Sequence, residues 1–189
     1  MATASALGWP LMPAATPTPS AALRVLAIDP SLRSSGFAVL ERNSGKIRVL
    51  EYGTIRNAAQ LLQSGCLVAI HERVTDLIQQ YSPECAAFES VIYVQSYRTA
   101  IILGCARGAA LLAAARSGLP IFEYAPRRVK QSVVGRGGAD KSQVGFMVRA
   151  LLGLTETPSS DAADALAIGL THFQTIDSAG RGVTVLERI

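Results

Sequence analysis

Four acidic residues stand where the chain is expected to leave regular structure, and their types suit metal-dependent chemistry. Asp29 follows the apolar run VLAI, and Glu89 follows the apolar run CAAF. Asp161 and Asp164 are three residues apart in SSDAADALA, a spacing that puts both side chains on one face of a helix. Clustered carboxylates repel one another, so this set predicts a bound cation. Oxygen ligands alone favour magnesium or manganese over zinc.

Each of these acids also has an ordinary structural interpretation. Asp29 precedes Pro30 and can form a turn, while Asp161 and Asp164 are favourable charges near a helix N-terminus. Glu89 can be the first exposed residue after a buried strand. The combination of four carboxylates from three segments favours a metal site over these separate explanations.

The elements that must position these acids follow from the hydrophobic pattern. Three β-prone runs, RVLAIDPS, GFAVLER and KIRVLEYGTIR, predict three consecutive antiparallel strands. Two further strands are predicted at CAAFES and LPIFEYAP, and helices at residues 61–81, 97–117, 127–133, 140–152 and 160–173. The strand–helix–strand order implies a parallel crossover. The pattern therefore predicts an α/β fold, a mixed five-stranded sheet flanked by helices, with its site at the carboxyl ends of the parallel strands.

Length and composition predict one folded domain. The chain has 189 residues, of which 49% are hydrophobic and 17% charged, which excludes a disordered protein. We expect residues 1–22 to form a flexible tail rich in Ala, Pro and Thr, residues 23–173 to form the folded domain, and residues 174–189 to form a C-terminal tail. Cys66, Cys85 and Cys105 fit neither a disulfide framework nor a zinc site, which predicts three buried thiols in a reducing compartment.

The sequence contains no pattern typical of a secretory signal, a transit peptide or a membrane span. The most apolar stretch, residues 101–115, is shorter than the roughly 20 residues that a spanning helix needs and carries Arg107 at its centre. We therefore expect a buried helix in a soluble, cytoplasmic protein.

Positive charge is concentrated in residues 127–149. This segment has six basic residues against the single acid Asp140: Arg127, Arg128, Lys130, Arg136, Lys141 and Arg149. Such a patch predicts a phosphate-bearing partner with salt-dependent affinity. The glycines of the GRGG loop would let it approach a nucleic-acid backbone, and a solvated flexible loop is the alternative interpretation.

Ordered motifs then identify a family. The blocks IDPSLRSSGFAVLE, AAFESVI, GCARGAALLAAA, PIFEYAPRRVKQSVVGRGGADKSQV and DAADALAIGLTH resemble, in order, those of RuvC-type crossover junction endodeoxyribonucleases, over about residues 25–172. The resemblance implies a ribonuclease H-like fold, a homodimer, and magnesium-dependent resolution of Holliday junctions. It also implies 5′ phosphate and 3′ hydroxyl ends, and a branch-migration helicase complex as a partner.

The same resemblance assigns the residues. Asp29, Glu89, Asp161 and Asp164 match the four metal-binding positions, and Lys130 and Lys141 match basic positions beside the DNA. We expect two ions, magnesium or manganese as a substitute, with Asp29 bridging them and the other acids completing coordination. A twofold dimer would place one site on each of two opposed strands of a four-way junction.

Two positions depart from the family pattern. Ser31 stands where the family usually has Gly, which would cost on the order of 1 kcal/mol if the backbone there required a positive φ. Ile92, with Tyr93 beside it, stands where relatives carry a Phe that stacks at the opened junction. Either can act as a wedge against unstacked bases, and Ile92 can equally belong to the core.

The predicted helix at residues 97–117 is apolar over more than one face, and Gly104 and Gly108 are four residues apart in it. One face can cover the sheet while another packs against a second subunit. Full burial within one domain is the alternative.

Three other functions are compatible with some of the same sequence features. A junction-binding module without cleavage is disfavoured by the complete set of acids. An actin-like kinase needs two lobes, which this length does not provide. A ribonuclease H-like nuclease for another substrate, such as RNA in a hybrid, shares the chemistry, so only substrate choice separates it from a junction resolvase.

Overall fold

A computed structural model of the chain describes residues 22–91, 96–180 and 188–189. Its centre is a five-stranded sheet in the order β3-β2-β1-β4-β5. The strands are β1 (Leu23–Asp29), β2 (Ser34–Asn43), β3 (Lys46–Arg56), β4 (Cys85–Glu89) and β5 (Ile121–Tyr124). The first three strands pair antiparallel, and β1, β4 and β5 pair parallel. The predicted mixed sheet and its α/β class are confirmed.

Helices cover both faces of this sheet. They are α1 (Gln63–Tyr81), α2 (Tyr97–Arg116), α3 (Pro126–Val134), α4 (Lys141–Leu152) and α5 (Ser160–Gly180). Apolar residues of α1 and α2 share a core cluster with one face of the sheet, and those of α3, α4 and α5 share a second cluster with the other face. The result is a three-layer arrangement with the sheet in the middle.

Local sequence signals explain where several helices begin and end. α3 starts at Pro126, whose fixed φ suits a first helical position, and stops at Gly135 in the left-handed conformation. α4 begins after Asp140, which forms a capping box with Gln143. Both helices pack against α5, whose first turn carries Asp161 and Asp164.

Strand β1 is buried on both faces. Val25, Leu26, Ala27 and Ile28 have no exposed surface. Because helices cover this strand on both sides, the side chains of its buried stretch are apolar on both faces and its sequence does not alternate between apolar and polar residues. This explains the run VLAI before Asp29.

Helix α5 is longer than predicted, and the predicted end at residue 173 is wrong. The helix continues to Gly180, because no Pro or Gly interrupts residues 174–179. Thr175 is buried on this extension, and Asp177 forms an ion pair with Arg42 of β2. Tertiary contacts therefore hold the additional turns against the sheet.

The concern about Ser31 does not apply. Among the described residues other than glycine, only Ser44 and Ser82 have a positive φ, so the turn after β1 has no need of glycine at position 31. The side chain of Ser35 fixes this turn, since its Oγ accepts from the Ser31 amide at 3.0 Å and donates to the Ser31 carbonyl at 2.5 Å.

Helix α2 is not the fully buried helix that its composition suggests. By length and composition alone it is apolar enough to cross a membrane, yet its Ala-rich face packs on the domain. Tyr97, Ile101 and Leu112 are exposed, and Cβ atoms added at Gly104 and Gly108 would meet nothing within 4 Å. One face of α2 is therefore left open by the described part of the chain.

The cysteines are free thiols, and the expectation of three buried ones is correct for two. Cys66 and Cys85 are buried, whereas Cys105 is half-buried because it lies on the partly exposed helix α2.

Candidate active site

The parallel pairing of β1 and β4 brings two of the acids side by side. Ile28 is in register with Phe88, so Asp29 and Glu89 are the next residues along each strand. Neighbouring strands lie about 4.8 Å apart. The two carboxyl-bearing residues therefore leave the sheet together at the carboxyl ends of adjacent strands.

A glycine lets helix α5 reach the same place. Gly36 of β2 is the antiparallel partner of Asp29, and a Cβ atom added to it would lie only 1.9 Å from the main-chain oxygen of Asp161. No residue with a side chain fits there without moving the start of α5. The absence of a side chain at position 36 brings the first turn of α5, with Asp161 and Asp164, to the end of β1.

The charges of the four acids act on one another. Burial first, and then the charges of Glu89, Asp164 and Asp161, raise the pKa of Asp29 to about 7 against the lowering effect of Lys141. A pKa near neutrality means that the charged form of Asp29 is disfavoured, by its burial first and by the neighbouring acids second. The other three acids thus lie within electrostatic range of Asp29.

Glu89 shows the same pattern. Its pKa is raised by burial and by the charge of Asp164, and it is lowered by Lys130 and Lys141. The two lysines therefore lie within electrostatic range of the Glu89 carboxylate.

The carboxylates are not arranged around a common point. Ser34 donates a short hydrogen bond of 2.5 Å to Asp161 Oδ2, and Lys141 Nζ donates to Asp164 Oδ2 at 3.1 Å. Within residues 22–91, 96–180 and 188–189, no three or more His, Cys, Asp or Glu side chains are placed to hold one metal ion. A shared ion would require side-chain movement and would replace these contacts.

The donor set nevertheless fits a hard divalent cation. Its groups are all carboxylates, the ligands that Mg²⁺ and Mn²⁺ prefer. Their mutual repulsion at Asp29 is the electrostatic imbalance that a cation would relieve. The metal-binding role of the four acids stays a prediction.

The predicted DNA-binding residues are divided between several places. Lys130 and Lys141 face the acids, as the pKa effects above indicate. Arg128 is directed elsewhere, since its Nη2 donates to Thr175 Oγ1 at 3.2 Å on α5. Arg127 and Arg136 are exposed. Ile92 and Tyr93 lie outside the described residues.

The GRGG loop has a structural role. Gly135 ends α3 with φ +84°, and a Cβ atom on Gly137 would lie 2.4 Å from Cγ of Arg127. Two of its glycines are thus explained by a helix end and by packing against Arg127.

Two residues left unassigned by the sequence acquire partners. His172 is buried and contacts Cys85 Sγ at 3.1 Å and the Tyr124 hydroxyl at 2.6 Å, while burial lowers its pKa to about 4. It therefore belongs to a polar cluster inside the core. Glu123 forms an ion pair with Arg107.

Sequence reasoning did not anticipate the contacts of Ser34 and Arg107. Ser34 reaches Asp161 across 127 positions, and nothing local in the sequence marks this pair. The sequence shows Arg107 only as a charge within an apolar helix. A buried cation in such a helix needs a partner, and that need was the available signal.

Comparison with known proteins decides the family. The model of the family described as crossover junction endodeoxyribonuclease RuvC matches residues 25–172. The chain belongs to the RuvC family. The match spans every strand and helix apart from the first two residues of β1 and the last turns of α5, and it includes all four acids.

Individual relatives agree with the family match. The chain is 55% identical over 155 residues to the crossover junction endodeoxyribonuclease RuvC of Akkermansia muciniphila, covering 82% of this chain and 93% of that protein. It is 43% identical to the RuvC of Edwardsiella ictaluri, with coverage of 83% and 90%.

Solved structures support the same fold. RuvC from T. thermophilus, in complex with a Holliday junction substrate, is 34% identical and superposes with a TM-score of 0.78, covering 88% of this chain and 99% of that one. The yeast mitochondrial Holliday junction resolvase Ydc2 is 13% identical with a TM-score of 0.58, covering 79% and 77%, a likeness of fold alone.

Proposed function

We propose that the protein resolves four-way DNA junctions by metal-dependent phosphodiester hydrolysis during recombination and repair, leaving 5′ phosphate and 3′ hydroxyl ends. One observation carries this proposal. Acidic residues at the C-terminal ends of β1 and β4 and in the first turn of α5 lie at the same end of the sheet, in a chain that matches the RuvC family over its folded length. The T. thermophilus relative is described in complex with a Holliday junction substrate, which supports the choice of DNA structure.

Asp29, Glu89, Asp161 and Asp164 are the residues that we propose hold the metal. Magnesium fits their chemistry, manganese is the natural substitute, and two ions per site suit hydrolysis of this bond. When bound, the ions would neutralise charge that develops on the attacking and leaving oxygens. Asp29 is the central ligand in this proposal, since the other three acids all act on its charge.

Lys130 and Lys141 would contact the DNA backbone next to the cleaved bond. They lie close enough to lower the pKa of Glu89, so they also offset the negative charge that would repel a phosphate. The exposed Arg127 and Arg136 extend positive charge away from the acids, where they can hold more distant phosphates. Ile92 and Tyr93 remain our candidates for the junction wedge.

We further propose that the active form is a homodimer that packs through the open face of α2. Tyr97, Ile101 and Leu112 are exposed there, and the small residues Gly104 and Gly108 permit close helix contact. A twofold dimer presents one site to each of two opposed strands of a junction. A cytoplasmic location and a branch-migration helicase complex as partner complete the proposal.

The test compares substrates and metals. Labelled four-way junction, linear duplex and RNA–DNA hybrid are incubated with the protein in the presence of magnesium, manganese or EDTA. We expect paired cuts in opposed strands of the junction, only with a divalent ion. Preferred cutting of the hybrid would instead indicate a ribonuclease H-like enzyme with another substrate.

Two variants sharpen this test. Asp29→Asn removes one carboxylate and should abolish cutting while junction binding persists. Asp76→Asn makes the same change at an exposed position of α1 and should cut as the wild type does. Binding without cleavage by the wild type would favour the junction-binding module. Sedimentation that finds only monomers, free and on junction DNA, would remove the dimer from the proposal.

A further inference from the structure

Arg107 joins three elements behind the acidic cluster. Its side chain, in the middle of α2, is only 11% exposed. Nη1 donates to the main-chain oxygen of Glu89 at 2.6 Å. The buried Nη2 forms an ion pair with the Glu123 carboxylate of β5, without the geometry of an ordinary hydrogen bond. One planar group thus links α2 to the carboxyl ends of β4 and β5.

Packing keeps this guanidinium in place. Its Cζ atom lies 5.5 Å from the ring centroid of Phe88, a residue with no exposed surface. Phe88 is itself the register partner of Glu123 in the parallel pair of β4 and β5. Burial lowers the pKa of Arg107, yet an arginine stays charged, so its position depends on these partners.

The contact acts on where Glu89 lies, not on its charge. Arg107 binds the carbonyl of Glu89 and leaves the carboxylate to face Asp164, Lys130 and Lys141, whose charges act on its pKa in addition to burial. Beyond Glu89, the Ser90 amide still pairs with the Tyr124 carbonyl at 2.9 Å. The strand end that presents Glu89 is therefore held from β5 on one side and from α2 beneath.

We propose that Arg107 is a positioning residue for cleavage: it fixes the main chain of Glu89 so that the carboxylate meets the other three acids and their metal. This inference rests on the proposed function. Because a misplacement of about 1 Å can cost about 100-fold in rate, loss of this tether should affect the chemical step far more than DNA binding.

The test measures single-turnover cleavage of a labelled four-way junction over a magnesium series, together with junction affinity in EDTA. Arg107→Met keeps the apolar stem over Phe88 and removes the donors. We expect its cleavage rate to fall about 100-fold and its magnesium requirement to rise, with junction affinity within about twofold of wild type. Arg116→Met, an exposed position on the same helix, is the matched control and should behave as wild type.

Arg107→Lys keeps the positive charge but removes the planar guanidinium, so it tests whether the two simultaneous contacts are needed. One ammonium cannot reproduce the planar contact with both the Glu89 carbonyl and Glu123, so we expect a rate loss of about tenfold in a normally folded protein. A folded Arg107→Lys or Arg107→Met variant with the wild-type rate and magnesium dependence would overturn the proposal.

A double variant separates positioning from simple stabilisation. Arg107→Met leaves Glu123 without its cation, and adding Glu123→Gln removes that unpaired charge. We expect the double variant to regain melting temperature but not cleavage, because the Glu89 tether is still absent. Recovery of cleavage together with stability would show that Arg107 acts only on folding and would overturn the inference. A wild-type protein that does not cut junctions would instead contradict the proposed function, and this inference with it.

Discussion

Removing the charge of Asp29 should stabilise the metal-free protein, and the size of the effect follows from its surroundings. Burial and three neighbouring acids raise the pKa of Asp29 from its ordinary 3.8 to about 7. Between these two values the folded protein holds a proton that the unfolded chain has released. The free energy of unfolding therefore falls as pH rises through this range, by about 1.4 kcal/mol per pH unit.

The magnitude can be stated for a practical pH range. From pH 5 to pH 7 the wild type should lose about 2–3 kcal/mol through Asp29, which corresponds to about 5–10 °C in melting temperature for a chain of this size. Asp29→Asn has no carboxyl group to titrate there. Its melting temperature should therefore exceed that of the wild type increasingly as pH rises from 5 to 7 in EDTA.

The assay is thermal unfolding followed by circular dichroism at several pH values, with EDTA or magnesium. Magnesium should raise the melting temperature of the wild type above pH 7 and have little effect on Asp29→Asn, because the variant lacks the central carboxylate. Asp76→Asn controls for the loss of one negative charge at an exposed site. Parallel pH profiles for wild type and Asp29→Asn would refute the reasoning.

Three further predictions concern other contacts. Gly36→Ala places a Cβ against the main-chain oxygen of Asp161, 1.9 Å away in the present geometry, so it should cost about 1–3 kcal/mol in unfolding free energy and slow cleavage more than it weakens junction binding. Lys141→Met should lower the slope of log affinity against log salt by about 0.9, measured by junction titration, if this lysine contacts one phosphate. The pKa of His172 is lowered to about 4 from 6.5, so the wild type should lose about 3 kcal/mol as pH falls between these values, and His172→Gln should not show this loss in thermal unfolding.

Each of these three predictions has a matched control variant. Gly180→Ala adds a methyl group at the end of α5, where no described atom lies within 4 Å, so it should not destabilise the protein or change its cleavage. Lys46→Met, at an exposed position outside the basic patch, and His71→Gln are the controls for the lysine and the histidine. A Gly36→Ala protein with normal cleavage, an unchanged salt slope for Lys141→Met, or equal acid sensitivity for His172→Gln and wild type would each contradict the corresponding argument.

Much of the fold could be predicted because local signals agree with it. Apolar runs of strand length, ended by turn residues, predicted all five strands, and the strand–helix–strand order predicted the parallel pair of β4 and β5. The acids followed from the same reasoning, since the residue after a buried run lies at a strand end. Asp29 and Glu89 can therefore both be identified from the sequence as acids at strand ends.

The remainder depends on contacts that distant parts of the chain make. Nothing near Phe173 stops α5, and the ion pair of Asp177 with Arg42 that helps to extend the helix joins residues 135 positions apart. The approach of α5 to β2 at Gly36 likewise depends on packing across the sheet. Composition also predicted a buried α2, because composition alone cannot distinguish an apolar face that is buried within the domain from one that is exposed.

Burial of β1 on both faces has a consequence for the movement of the acidic edge. Amide hydrogens of Val25 to Ile28 can exchange with solvent only when the helical layers separate from the sheet, so their exchange should report near-global opening. Asp29 is attached to this most protected strand. Adaptation between protein and junction must then come from parts of the protein other than this strand and from the bending of DNA, while the backbone at Asp29 stays fixed.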